Sequence, residues 1–153
     1  MFDCRETPIG RIGIESDGKH IVALHLNCDC KGESSADPLI AEAFRQLDEY
    51  FAGKRREFDL PLKPAGTPFQ LRVWEALRRI PCGKTASYGE IAAAVGCPKG
   101  SRAVGMANNR NPIAIFIPCH RVIGADGKLV GYASGLDTKR RLLDLEAGAH
   151  GLL

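Results

Sequence analysis

The sequence contains no apolar run approaching the roughly 20 residues that a bilayer span requires, which argues against a membrane protein. Its opening, Met1-Phe2-Asp3-Cys4-Arg5-Glu6, lacks the basic start and apolar stretch of a secretory signal, so a cytoplasmic location is expected. In such a reducing compartment the six cysteines should remain free thiols. No two of them have the Cys-x-x-Cys spacing of a zinc or redox motif. Cys28-Asp29-Cys30, with Cys4 and His25, forms only a loose cluster, and no metal is assigned to it. There is no internal repeat and no low-complexity tract.

What is present suits a soluble globular chain. Its 153 residues suffice for one ordinary domain or two very small ones, with 44% apolar and 25% charged residues. The net charge of +3 is unevenly spread. Residues 1–63 carry 9 Lys/Arg against 12 Asp/Glu, a net of −3, whereas residues 64–153 carry 12 against 6, a net of +6. A basic C-terminal part is suited to a polyanion, although a basic face is often merely solvated.

Ile9–Ser16 and His20–Leu26 are expected as strands around an Asp17-Gly18 turn, followed by a polar loop over residues 27–37. Asp37-Pro38 begins a helix with Leu39, Ala43, Leu47 and Phe51 on one face, ended by Gly53. Phe58–Leu62 is a further candidate strand, which completes a small α/β unit over residues 1–63. After the linker Lys63–Gly66, residues 67–153 form a second unit. Thr67-Pro68-Phe69-Gln70 has the spacing of a capping box, and Phe69, Val73, Leu77 and Ile80 make an apolar stripe flanked by Trp74. Ser87-x-x-Glu90 opens a short helix, and Ser101 caps another after Cys97-Pro98-Lys99-Gly100, a helix-turn-helix pattern. Ala103, Gly105 and Ala107 leave the second helix little bulk, which suits either close approach to a groove or tight helix packing. Ile113–Ile117 is expected as a buried strand, Asp126-Gly127 as a hairpin-like turn, and Asp137 as the cap of a last helix.

The chemistry concentrates at Ile117-Pro118-Cys119-His120-Arg121-Val122. A thiol attacks as thiolate, so a nucleophilic cysteine needs a proton acceptor or a lowered pKa. His120 could act directly or through one water, and Glu146 is the acid of the right type to orient it. A Cys-His pair alone is more often structural than catalytic. The residues around it decide between the two.

From Thr67 to Glu146 the chain resembles the 6-O-alkylguanine-DNA alkyltransferases, or methylated-DNA–protein-cysteine methyltransferases. The matching blocks are Gly66-Thr67-Pro68-Phe69-Gln70, Val73-Trp74, Ile80-Pro81-Cys82-Gly83, Ser87-Tyr88-Gly89, Arg102-Ala103-Val104-Gly105, Asn111-Pro112, Ile117 through Gly124, and Gly131-Tyr132. The resemblance implies an α/β fold class, with a ribonuclease-H-like N-terminal unit and a mostly helical, winged helix-turn-helix-like C-terminal domain. It implies that Cys119 accepts an alkyl group irreversibly from 6-O-alkylguanine, with 4-O-alkylthymine left open as a second substrate. His120 would be the water-linked base, Glu146 the carboxylate behind it, and Asn111 the hinge that bonds the turn near the nucleophile. Arg102 would enter the duplex in place of the flipped nucleotide. Ala103 and Gly105 would approach the minor groove, and Tyr88 would assist flipping and protonate the leaving guanine. Tyr132, Val122 and Ser134 would line the base pocket, where the carbonyls of Cys119 and Val122 accept from the guanine amino group. Where some members have Ser after the pocket tyrosine, this chain has Ala133 and then Ser134. Arg121 would support the site's structure. Neither cofactor nor metal is implied. The expected partner is double-stranded DNA carrying alkylated guanine, bound by a monomer, with cooperative binding along DNA left open. The competing readings are a lesion-binding module without transfer, a thiol hydrolase and a transcription factor. The presence of Cys119 argues against the first, and the chain's length against the last.

Overall fold

A computed structural model describes residues 1–29, 36–129, 132 and 135–148. The chain begins with strands β1 (Phe2–Thr7), β2 (Gly10–Ser16) and β3 (Ile21–His25), paired antiparallel in that order. No strand is expected at β1 from the sequence, because Asp3, Arg5 and Glu6 obscure any alternation. It forms nonetheless by pairing along the length of β2, from Phe2 opposite Glu15 to Thr7 opposite Gly10. The β2–β3 turn is as expected: Asp17 Oδ1 accepts from the N–H groups of Lys19 and His20, and Gly18 takes φ +94°.

Helix α1 (Pro38–Phe51) is capped by Asp37, whose side chain accepts from Leu39 N–H at 2.9 Å. It packs on β1 and β2. Ile40, Ala43, Phe44, Leu47, Tyr50 and Phe51 are all buried, a wider stripe than the one expected. Phe58–Leu62 is not a strand. Pro61 has no N–H to donate, the Asp59 backbone is engaged by the Gln46 side chain, and only Leu62 bridges to Ile21.

Helix α2 (Pro68–Arg78) starts with the expected reciprocal capping box of Thr67 and Gln70. Trp74 belongs to the core rather than to its flank, and its indole N–H donates to Ala107 O at 2.9 Å. Val73 and Leu77 are also fully buried, and each such side chain contributes about 1.5–3 kcal/mol. Gly66 lets the preceding chain lie against the indole, since a Cβ there would stand 2.5 Å from the Trp74 ring.

Strand β4 (Ala86–Ser87) leads into helix α3 (Tyr88–Ala94), opened by a Ser87–Glu90 capping box. Helix α4 (Ser101–Asn109) follows after a short connection and packs against both α2 and α3. Gly100, not Ser101, occupies the cap position, and no side chain caps the helix. Ile113–Ile117 is buried but folds as a tight turn, with Ile115 at φ +71° and Ala114 bridged to Ile117. Cys119–Arg121 form one turn of 3₁₀ helix, β5 (Val122–Ile123) runs parallel to β4, and the expected Asp126-Gly127 turn follows, with Gly127 at φ +82° and Gly124 N–H donating across it to Lys128 O at 2.9 Å. Helix α5 (Leu136–Glu146) begins after Gly135, which places Asp137 in its first turn instead of at its cap.

One hydrophobic cluster runs from the sheet through α1 and α2 to α4 and α5. Cys82, Cys97 and Cys119 are free thiols, but Cys4 is disulfide-bonded, contrary to expectation. Compartment and spacing set the expectation, whereas the bond depends on which sulfurs the fold brings together. No described helix is long and apolar enough to cross a membrane.

Candidate active site

Cys119 sits where the buried 113–117 turn meets the 3₁₀ turn, with 5% of its surface exposed. Asn111, just beyond α4, fixes that approach. Its Nδ2 donates to Ile117 O at 2.7 Å, and its Oδ1 accepts from Ile113 N–H at 3.0 Å. One amide therefore staples both ends of the turn leading to the nucleophile. Cys119 lines a cavity of about 180 Å³ together with Asn108, Asn111, Ala114, Tyr132 and residues around Leu24 at the end of the sheet. The Tyr132 hydroxyl is buried and interacts with the Cys119 thiol.

His120 points away from solvent entirely, and its Nε2 lies 2.6 Å from Glu146 Oε2 on the last turn of α5. Three further hydrogen bonds hold that carboxylate. Arg121 donates from Nε to Oε1 at 2.7 Å and from Nη2 to Oε2 at 3.0 Å, and Tyr50 of α1 donates its hydroxyl to Oε2 at 2.5 Å. Arg121 also donates from Nη1 to Ile80 O at 2.6 Å, which ties α2 into the same cluster. This forked geometry suits a guanidinium, and it matches the structural part expected of Arg121.

These contacts settle the charges. Burial opposes ionisation of Glu146, but the hydrogen bonds from His120 and Arg121 and the charge of Arg121 outweigh it and hold the carboxyl well below its ordinary range. Burial pushes the His120 pKa down, against the pull of Glu146, so the imidazole is neutral at neutral pH. An ionised Glu146 can only accept, so the imidazole proton lies on Nε2. Nδ1 is then a bare lone pair, buried and without a partner among the described residues. That is the atom a general base requires. Burial also raises the Cys119 thiol pKa, and contacts from Asn111 and Tyr132 and the charge of Lys139 offset this in part. The resting group is therefore a thiol that must lose its proton on the way to reaction.

Tyr88 opens α3, and burial and the proximity of Cys119 raise its pKa, so it stays a phenol able to donate. Arg102 and Ala103 are exposed on the first turn of α4, while Gly105 is half-buried facing the Tyr88 ring and Ala107 is buried. The small residues of α4 thus serve both faces, the outer surface and the packing against α3. Val122 is buried beside the 3₁₀ turn. Ser134 lies outside the described residues.

Three residues of this site were not identified from the sequence. Tyr50 reads there only as an aromatic one residue from a helical stripe. Lys139, fully buried, donates from Nζ to Val122 O at 2.5 Å, and Asn108, 1% exposed, donates to Cys119 O at 3.3 Å. No local pattern distinguishes either from a surface residue. No cluster of three or more metal-ligating side chains occurs among the described residues.

Two family profiles match the chain. Residues 3–64 match the ribonuclease-like domain of 6-O-methylguanine DNA methyltransferase, and residues 68–148 match its DNA-binding domain. The chain is 64% identical over 144 residues to the methylated-DNA–protein-cysteine methyltransferase of Methanosarcina mazei, covering 91% of this chain and 90% of that one. It is 50% identical over 155 residues to the constitutive enzyme of that name from Bacillus subtilis, covering 95% and 94%. Among solved structures it resembles Mycobacterium tuberculosis OGT in complex with DNA, with a TM-score of 0.90 and 46% identity over 99% of this chain and 96% of that one.

Proposed function

The chain belongs to the 6-O-methylguanine DNA methyltransferase family, and from that membership and its site we infer that it repairs DNA by taking the alkyl group of 6-O-alkylguanine onto Cys119. The observation that carries the assignment to Cys119 is the buried thiol next to a neutral histidine, whose Nε2 is held by an ionised carboxylate and whose Nδ1 is bare. His120 Nδ1 receives the thiol proton through a water. The sulfur then attacks the alkyl carbon in line as the carbon–oxygen bond breaks. The electron pair stays with guanine, Tyr88 donates a proton to it, and the proton lost by Cys119 balances the transfer. The product thioether is a poor leaving group, so each molecule acts once.

The target atom lies inside the duplex stack, so the nucleotide must be extruded, at a cost of a few kcal/mol. Residues 67–153 serve as the DNA-binding and transfer unit and residues 1–63 as the supporting unit. Arg102 fills the vacated stack, and Ala103 and Gly105 let α4 approach the minor groove. Tyr132 and Val122 wall the base pocket, and the carbonyl of Val122 accepts from the guanine 2-amino group. The protein acts in the cytoplasm as a monomer.

Incubation with duplex DNA carrying 6-O-methylguanine, followed by intact mass and peptide mapping, tests this reading. One methyl on Cys119, none on Cys119→Ala, and no second turnover are expected. Binding without a mass gain would leave a lesion-binding module instead.

A further inference from the structure

Lys139 is a buried polar group that takes no direct part in the transfer steps. It lies in the first half of α5 with its side chain fully buried, and its ammonium donates to the backbone carbonyl of Val122 at 2.5 Å. A second contact places Nζ 5.9 Å from the centre of the Tyr132 ring. Burying an ammonium is strongly unfavourable, and a methionine would fill the same length of space without that penalty. The position therefore demands a reason for a charged donor.

The carbonyl it holds supplies one. Val122 O belongs to the strand immediately after the 3₁₀ turn that carries Cys119. A carbonyl oxygen has two lone pairs. A strong, charge-assisted bond to one of them fixes the direction of the other. Cys119 O, the other acceptor that the resemblance implies, already accepts from the Val122 N–H that closes the turn and from Asn108 Nδ2 at 3.3 Å, so both its lone pairs are engaged and the acceptor role falls to Val122 O. Asn108 is buried in the wall of the cavity it shares with Cys119 and Tyr132, and its Oδ1 has no hydrogen-bond partner among the described residues. Two helices, α4 and α5, thus reach in to hold the backbone at the reacting cysteine and just after it.

We propose that Lys139 is a positioning residue for base recognition: it holds the Val122 carbonyl in the orientation that accepts the 2-amino group of the extruded guanine. This rests on the reading, given above, that the Val122 carbonyl is an acceptor for that group. The ammonium also favours the Cys119 thiolate by its charge. Replacing it therefore slows every substrate, and overall rate alone cannot test the proposal.

The discriminating measurement is a ratio. Single-turnover rates are measured on duplexes carrying 6-O-methylguanine or 6-O-methylhypoxanthine, which differ only in the 2-amino group. The wild-type protein should prefer the former by at least about tenfold, because a site built to bond a group rejects the analogue that lacks it. Lys139→Met should reduce that preference several-fold, and its rate–pH curve should move to higher pH through the loss of charge. Lys139→Gln keeps a donor without the charge. It should retain much of the preference while showing the same pH displacement. Because each preparation supplies both rates, a partly unfolded variant does not distort the ratio. An unchanged preference in both variants, with both substrates slowed equally, would reduce Lys139 to an electrostatic part and overturn the proposal. A wild-type protein with no preference would remove the carbonyl reading itself, and the proposal with it.

Discussion

At the scale of single residues, Glu146 is the point on which the site's geometry converges. Its carboxylate accepts from His120 and Arg121 of the 3₁₀ turn and from Tyr50 of α1, two separate parts of the chain. Glu146→Gln keeps the shape but removes the charge, leaving the Arg121 guanidinium buried without its counter-ion and His120 without its orienting acceptor. Breaking one side of a buried ion pair costs about 3–5 kcal/mol. Chemical denaturation should show a loss of that order, and methyl transfer at neutral pH should slow in the fraction that remains folded. An unchanged transfer rate would dissociate the carboxylate from the chemistry. The pairing of His120 with Glu146 beside Cys119 was legible in the sequence because the residue types allow it and the blocks around them carry the family resemblance. The partners that give them their properties, Tyr50, Lys139 and Asn108, were not. Their importance comes from burial, and burial depends on contacts as distant as the 96 residues between Tyr50 and Glu146.

At the scale of elements, local chemistry was the more legible part. Both capping boxes, the Asp37 cap and the Asp17-Gly18 turn depend on residues within a few positions of one another, and all four occur as the sequence suggests. Elements held by distant pairing were read less well. β1 exists through its partner β2, Phe58–Leu62 loses its ladder to Pro61 and Gln46, and Ile113–Ile117 turns back on itself instead of extending. The linker before α2 has its own constraint in Gly66. Gly66→Ala would drive a methyl into the rigid, buried indole of Trp74, and overpacking of this kind costs about 1–3 kcal/mol. A lowered denaturation midpoint is expected, and a variant as stable as the parent would mean that the linker moves aside at no cost. On α4, Arg102 stands exposed at the start of the helix. Arg102→Ala should slow repair within a duplex far more than reaction with the free alkylated base, since only the duplex requires a filled gap. Equal slowing of both would point to damage within the site.

At the scale of the whole molecule, acid should undo the fold through the same buried groups that carry the chemistry. His120 is the first to act. Its folded pKa lies below the ordinary histidine value of 6.5, so as pH falls below 6.5 the unfolded chain takes up protons that the folded chain does not, and stability declines. Glu146 acts lower down. Its folded pKa lies well below the ordinary 4.5, so the stability it contributes is complete above that value and is lost as pH falls through the folded pKa. Both slopes have the same sign. Denaturation midpoints should therefore decline in two stages, one beginning below pH 6.5 and a steeper one below pH 4.5. In Glu146→Gln the second stage should flatten, because Glu146 no longer titrates, while the rest of the acid response persists. The single hydrophobic cluster that links the sheet, α1 and the helices makes this a global transition. Tyr50 lies in α1 and Glu146 in α5, so protonating the carboxylate weakens the contact between the N-terminal and C-terminal units. Fluorescence of Trp74 in the C-terminal half and circular dichroism of the whole chain should accordingly report the same midpoint at each pH. If the Trp74 signal changed at a higher pH than the circular dichroism, the C-terminal half would be coming apart alone, and the Glu146 cluster would hold that half together without joining it to α1.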